Sequence, residues 1–384
     1  MSNKKIIGYY DNSGNTAIST GVVTFNTISE QLSSAKWPYT FNGLCVVGGI
    51  SPYYFQVRRD FDNTKWTVAE YGTGPNTDIL AGTGQGVTYS KDGTYLAIGH
   101  QSVPYISILK RYGINVSKLN SPFSPAGPTS TCYSLAFSPD GTYLAAAITS
   151  TPYINIFKRS GDSFTKLANP STLPTGAGYG VSWSPNGNYL AVAHATSPFI
   201  TVYTRSGDTF TKVTDPVTLP TGQGNSCSWN LNSNYLAVGH NTSPFISIYT
   251  FDGTTLTKVS DPSDIPLTGG GNGVSWSPNG NYLALANSTT PYVWIYSFDG
   301  TTFTRLTNPI TPYGTHNDVD WNADSNKVVF CSSGSTSLSL FIYNVNGSTI
   351  TYDTTLQGFG TGLSGSTTYT SNYGVAWFKL NNTY

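Results

Sequence analysis

Apolar and polar residues alternate in short runs with a period of two, and these runs recur along the chain as a set. In one copy, Gly180-Val-Ser-Trp183 reads as a first strand, Tyr189-Leu-Ala-Val-Ala193 as a second and Phe199-Ile-Thr-Val-Tyr203 as a third. Thr209-Phe-Thr-Lys-Val213 reads as a fourth strand of more polar character. The first connection, Ser184-Pro-Asn-Gly-Asn188, is a turn in which proline presets φ and Gly187 accepts a positive φ; Ser206-Gly-Asp208 is a tight hairpin. The pattern therefore predicts units of four antiparallel strands joined by short connections.

The unit repeats with a regular beat. Tyr95, Tyr143, Tyr189, Tyr235 and Tyr282 recur every 46–48 residues, and the preceding aromatic runs Tyr89, Phe137, Trp183, Trp229, Trp276, Trp321 and, after a longer gap, Trp377. Repeats of about 40–50 residues built from strands and turns mean propeller blades. One four-stranded blade cannot bury both faces, so each must stack on its neighbours. The residue before the aromatic is small at Thr88, Ala136, Ser182, Ser228, Ser275 and Ala376, as close packing between sheets requires. The expectation is an all-β, seven-bladed β-propeller of four-stranded antiparallel blades.

Trp377 lies too near the chain end to build a blade alone. Leu44–Gly48, Tyr53–Val57 and Lys65–Val68 read as its second, third and rim strands, so the ring is expected to close through one blade shared by both ends of the chain. A rival first strand, Gly21–Phe25, would instead leave Trp377 to start an eighth blade or to cap the ring. Residues 1–40 are least like a blade and are expected to be an accessory docking segment beside a single propeller domain over residues 41–384.

Phe137-Ser-Pro-Asp140-Gly-Thr-Tyr-Leu-Ala145 resembles the WD-repeat and WD-like β-propeller families, and the likeness extends over about residues 81–345. Phe157-Lys158, Tyr203-Thr204 and Tyr249-Thr250 stand where those families place Trp-Asp, and their buried Asp and His network has no counterpart. The wording Thr196-Ser-Pro-Phe-Ile-Thr-Val-Tyr203 with Ser206-Gly-Asp-Thr-Phe-Thr-Lys212 is similar to repeats of tailed-phage virion proteins. That resemblance implies a non-enzymatic structural or host-attachment component of a phage tail or capsid surface. Its partners would be other virion proteins and a host-surface glycan or protein receptor.

Composition narrows the picture further. Charged residues are 10% of the chain and sum to zero, so no basic field exists to hold phosphate backbones and nucleic acid is not an expected partner. Cys45, Cys132, Cys227 and Cys331 lie far apart without a Cys-x-x-Cys pair, which predicts buried thiols rather than disulfides or a metal cluster. After Lys4-Lys5 only Ile6-Ile7 is apolar, which is not a signal peptide, and no apolar run reaches membrane-spanning length. Synthesis in the host cytoplasm, no membrane insertion and a place in the virion are the matching expectations.

Three groups of residues are candidates for chemistry. His100, His194 and His240 share one place in their repeats, held elsewhere by Ile148, Asn287 and Ser332, and are read as bonding a turn at a strand end. His316, Asp318 and Asp320 are the one acidic departure from the repeat. With a period of two they fall on one face of a first strand, as a candidate cation site near the channel or, preferably, a local polar network. Tyr53, Tyr105, Tyr153, Phe199, Phe245 and Tyr292 each follow a proline, one per blade, and offer either a sugar-gripping ring or inter-blade core, with core favoured.

No nucleophile elbow or phosphate loop occurs, and the scarcity of Glu and His leaves little for acid-base work, so neither catalytic residues nor a cofactor are expected. A sugar-binding lectin is the second reading. A lactonase-like hydrolase using His316, Asp318 and Asp320 is the third, and the near-identical blades weigh against it.

Overall fold

The alternation of residues 178–213 becomes four consecutive antiparallel strands, and the same element recurs from one repeat to the next. The computed structural model describes residues 43–48, 54–59, 66–71, 84–112, 115–308, 314–333, 339–353 and 372–377. In chain order the strands are β1 (Gly43–Gly48), β2 (Tyr54–Arg59), β3 (Trp66–Tyr71), β4 (Gly84–Tyr89), β5 (Tyr95–His100), β6 (Ile106–Tyr112) and β7 (Asn115–Lys118). There follow β8 (Phe123–Ser124), β9 (Cys132–Phe137), β10 (Tyr143–Ile148), β11 (Ile154–Ser160), β12 (Ser163–Lys166), β13 (Gly178–Trp183), β14 (Tyr189–His194), β15 (Ile200–Ser206) and β16 (Thr209–Lys212). Next come β17 (Gly224–Trp229), β18 (Tyr235–His240), β19 (Ile246–Phe251), β20 (Leu256–Lys258), β21 (Gly271–Trp276), β22 (Tyr282–Asn287), β23 (Val293–Phe298) and β24 (Phe303–Arg305). The last are β25 (Thr315–Trp321), β26 (Lys327–Ser333), β27 (Ser339–Asn346), β28 (Thr349–Tyr352) and β29 (Asn372–Trp377).

The described residues contain no helix. Between β4 and β28 they form six sheets, each opening on the strand that carries the repeated aromatic. The second sheet has a fifth strand that the repeat does not announce. There β8 joins the outer edge parallel to β12, with Phe123 opposite Phe164. A further sheet is ordered β29-β1-β2-β3, with β29 antiparallel to β1 and Leu44 opposite Trp377. Residues 1–40, with their proposed docking role and the rival strand Gly21–Phe25, lie outside the described residues.

Each second strand is apolar on both faces because it is covered by a neighbouring sheet on each side. Leu190, Ala191, Val192 and Ala193 are wholly buried. The first-strand aromatics fill the space between sheets: Trp183 stacks on Tyr143 of the preceding sheet at 5.9 Å, and Trp321 on Tyr282 at 5.5 Å. The repeated tyrosine also ties consecutive sheets. Tyr143 donates its hydroxyl to the Gly207 carbonyl at 3.2 Å and to Asp208 Oδ1 at 2.5 Å, both in the rim hairpin of the next sheet. Tyr95 does the same with Gly161 and Asp162.

The first turn forms as the residues dictate. Gly187 takes φ +73°, its N–H bonds the Ser184 carbonyl, and the Ser184 hydroxyl accepts the Tyr189 N–H at 2.9 Å. Cys132, Cys227 and Cys331 are buried and form no disulfide; burial pushes the Cys227 thiol up to about 12.

Candidate functional site

Near its start, each of the six first strands from β4 to β25 slips by one residue against its second strand. Gly178 pairs with His194 and Gly180 with Ala193, so Tyr179 is left over as a β-bulge. The corresponding extra residues are Gln85, Tyr133, Asn225, Asn272 and Asn317. A bulge re-aims its side chain. All six bulge residues line a single cavity of about 350 Å³ where the first strands converge.

Close approach of the strands makes this ring possible. A Cβ on Gly180 would stand 2.7 Å from Ser226 Cα in the next sheet, so only glycine fits there. The ring side chains are themselves held in place. Asn225 Nδ2 donates to the Gly271 carbonyl at 3.1 Å, and Asn272 Nδ2 to the His316 carbonyl at 2.8 Å. Gln223 Nε2 in turn donates to Asn225 Oδ1 at 3.0 Å. Tyr133 and Tyr179 are neighbours, with ring centroids 5.0 Å apart and planes at 58°.

Among the described residues, Asp318 is the one acidic group of the cavity wall and no basic group joins it. Its Oδ1 accepts the Val319 N–H at 2.9 Å, which fixes the carboxylate against the strand. The wall thus combines amides, two phenols, the Ser134 and Ser226 hydroxyls and one carboxylate. Such a surface can bind a polyhydroxylated neutral molecule and can accept a proton at one point.

The expected single face of His316, Asp318 and Asp320 is corrected by the same bulge. His316 pairs with Ser332 and Asp318 with the adjacent Cys331, so the extra Asn317 turns His316 to the opposite face. His316 is wholly buried, donates from Nδ1 to the Gly314 carbonyl at 2.9 Å and stacks on Tyr292 at 5.8 Å. Burial holds its pKa down to about 4, so it is a neutral imidazole. Asp320 lies outside the cavity wall and accepts the Trp321 N–H at 2.9 Å. Among the described residues no cluster of three His, Cys, Asp or Glu side chains could hold a metal ion.

Tyr105, Tyr153, Phe199, Phe245 and Tyr292 each follow a cis X–Pro bond and adopt φ between +58° and +68°. Their carbonyls cap the second strands, as in His100 N–H to Tyr105 O at 2.9 Å. They also meet the next sheet: a Cβ on Gly224 would stand 2.4 Å from the Phe199 carbonyl oxygen. None of the five lines the cavity, and Tyr292 alone meets another candidate, His316. Tyr53 lies outside the described residues.

His100, His194 and His240 are buried and pair through Nε2 with Ser107, Thr201 and Ser247 on the third strands at 3.0–3.2 Å. Burial lowers each to a pKa of about 4.

Sequence reasoning missed the bulge residues. For five of the six the available signal was the doubled small residue around them, as in Gly84-Gln-Gly86 and Gly271-Asn-Gly273, which spoils the alternation of the strand by one position; Asn317, between His316 and Asp318, lacks it.

A family profile described as WD domain, G-beta repeat matches residues 120–152. No curated protein matches the chain. Among solved structures, a protein from Lactobacillus plantarum aligns with a TM-score of 0.69 at 14% identity, over 88% of this chain and 99% of that one. A putative 6-phosphogluconolactonase from Bacteroides uniformis aligns at 0.66 and 13% identity, and the periplasmic gluconolactonase of Pseudomonas aeruginosa at 0.64 and 14% identity. Both cover 88% of this chain and 99% of their own. The repeat match over residues 120–152 and these likenesses support a WD-like β-propeller fold.

They also correct two expectations. The assignment to a phage particle finds no counterpart in these proteins, two of which bear hydrolase names. The expectation of no enzyme, drawn from the absent catalytic motifs and the scarcity of Glu and His, is overturned by neighbours that bear lactonase names. The near-identical blades that weighed against a lactonase are not identical where it matters. At the bulge they carry Gln, Tyr, Tyr, Asn, Asn and Asn in turn.

Proposed function

We propose that the chain is a seven-bladed propeller, closed by a blade drawn from both chain ends, that hydrolyses an uncharged sugar lactone in the cavity at its axis. Closure is supported by β29, which pairs with β1 and packs against both β25 and β4. The observation that carries the activity is Asp318, a lone carboxylate in a wall of neutral hydrogen-bonding groups. The lactonases that share the fold suggest the reaction class. The lack of a basic group in the described wall favours a neutral lactone over a phosphorylated one.

In the proposed reaction Asp318 takes a proton from a water molecule as the water oxygen attacks the lactone carbonyl carbon. The resulting oxyanion is stabilised by amide N–H and phenol O–H donors of the wall. Collapse breaks the bond to the ring oxygen, which leaves as an alkoxide and recovers the proton from Asp318. One water is consumed and one hydroxy acid is formed.

The test follows acid release from δ-gluconolactone in weak buffer against the uncatalysed rate, using the full chain. Acceleration is expected, with loss of about 10²-fold or more in Asp318→Asn at unchanged circular dichroism. No acceleration on either the neutral or the 6-phosphorylated lactone, or an unimpaired Asp318→Asn variant, overturns the proposal.

A further inference from the structure

The bulge ring is chemically divided. Taking β4 as first, Tyr133 and Tyr179 stand on the second and third inner strands, amides stand on the first and on the fourth to sixth, and Asp318 follows the sixth bulge. In a ring of seven, the strand opposite the gap between the second and third is the sixth. The tyrosine pair therefore faces Asp318 across the cavity. We propose that Tyr133 and Tyr179 form a stacking platform that selects a cyclic sugar over its acyclic form, an inference that rests on the lactone-hydrolase reading for the chemistry performed opposite them.

The physical basis is the shape of the two partners. A pyranose-like ring presents a flat face of C–H groups carrying partial positive charge, and the face of a phenol ring carries negative charge. Two rings 5.0 Å apart and inclined at 58° form a shallow cleft rather than a flat stack, which suits a puckered six-membered ring. An aromatic platform also costs little conformational entropy, because a tyrosine has only two side-chain torsions to fix.

Hydroxyl groups on the far edge of the sugar meet the amide half. Asn225 and Asn272 are oriented in advance by their bonds to the Gly271 and His316 carbonyls, and each amide keeps a second N–H for a ligand. The carbonyl of a lactone lying on the platform is then turned toward the strand that bears Asp318. Hydrolysis destroys the ring, and with it the C–H face, so the acid product loses the stacking contact that held the substrate. The platform thus separates substrate from product by shape, which assists release.

The test is equilibrium binding by NMR titration of 1,5-anhydro-D-glucitol, a cyclic neutral sugar that cannot be hydrolysed, against acyclic D-glucitol. The wild-type protein is expected to bind the cyclic probe and to prefer it over D-glucitol. Tyr133→Ala and Tyr179→Ala each weaken it about tenfold, which converts to about 1.4 kcal/mol. Tyr179→Leu, which keeps bulk without a π face, shows the same loss, and Tyr179→Phe retains binding.

Alanine and leucine variants that bind within twofold of wild type overturn the platform. So does equal binding of D-glucitol, or no binding of the cyclic probe to the wild-type protein. Tyrosine-dependent binding without lactone turnover refutes the hydrolase reading alone, whereas turnover with tyrosine-independent binding refutes the platform alone.

Discussion

Four equivalent tryptophans provide an internal comparison that the packing should resolve. Trp183, Trp229, Trp276 and Trp321 occupy the same place on β13, β17, β21 and β25, and all are at most 6% exposed. Each packs on the repeated tyrosine of the preceding sheet, as Trp321 does on Tyr282 at 5.5 Å and Trp229 on Tyr189 at 6.0 Å. Their indole N–H groups are not. Trp321 Nε1 donates to the Ser275 carbonyl at 3.0 Å and Trp183 Nε1 to the Ala136 carbonyl at 3.2 Å, whereas Nε1 of Trp229 and Trp276 is buried without a partner.

Replacement by phenylalanine removes the same ring atoms at each site, and Trp183 and Trp229, each packed on one tyrosine and one phenylalanine, form the pair in which the packing loss cancels best. The hydrogen-bond contribution does not cancel. Trp321→Phe strips the Ser275 carbonyl of its partner, which costs about 1–3 kcal/mol, while Trp229→Phe removes a donor that already bears that burden. Trp321→Phe and Trp183→Phe should therefore be less stable than Trp229→Phe and Trp276→Phe by about 2 kcal/mol. Urea unfolding followed by far-ultraviolet circular dichroism reads this as a lower midpoint at constant slope. Equal midpoints in the four variants, or a larger loss at Trp229, would refute the assignment of these bonds.

Two further outcomes test the frame of the site. His194 has a folded-state pKa lowered by burial to about 4 from 6.5, so above pH 6.5 it contributes no pH dependence. As pH falls from 6.5 toward 4 the unfolded chain takes up a proton that the folded chain refuses, and stability is lost. His194→Asn, which installs the residue found at the equivalent Asn287, should flatten that loss near pH 5 by about 1.4 kcal/mol per pH unit; an unchanged difference between urea midpoints at pH 7.5 and pH 5 would count against it. Gly180→Ala places a methyl carbon 2.7 Å from Ser226 Cα and should cost about 1–3 kcal/mol while disturbing lactone opening through the displaced Tyr179. An unshifted thermal midpoint would show that the inner strands can separate.

The strands are largely legible in the sequence because period-two patterning and turn chemistry agree. The pattern at Tyr189–Ala193 stops one residue short of β14, and that at Thr209–Val213 runs one residue past β16. The third strand starts at Ile200 rather than Phe199, because Phe199 adopts φ +68° and belongs to the turn. The strand β8 has no sequence signal because two residues carry no periodicity. The site is less legible still. His316, Asp318 and Asp320 stand out as charged residues in an uncharged repeat, yet a strict period of two puts them on one face. The inserted Asn317 overturns that placement, and a polar residue in a half-exposed strand carries no mark of being inserted.

The bulge explains how a repetitive chain can carry a blade-specific site. Second-strand residues such as Leu190 and Val192 are wholly buried between sheets, so their volume is constrained in every repeat. The first-strand aromatic and the small residue before it are constrained by the same packing, and the turn residues by their φ angles. A bulge residue is under none of these demands, because it is left out of the ladder and turned toward the axis. Gln, Tyr and Asn can therefore replace one another there without changing the blade. Diversity at that position, together with Asp318 beside it, is what a binding cavity built from near-copies requires.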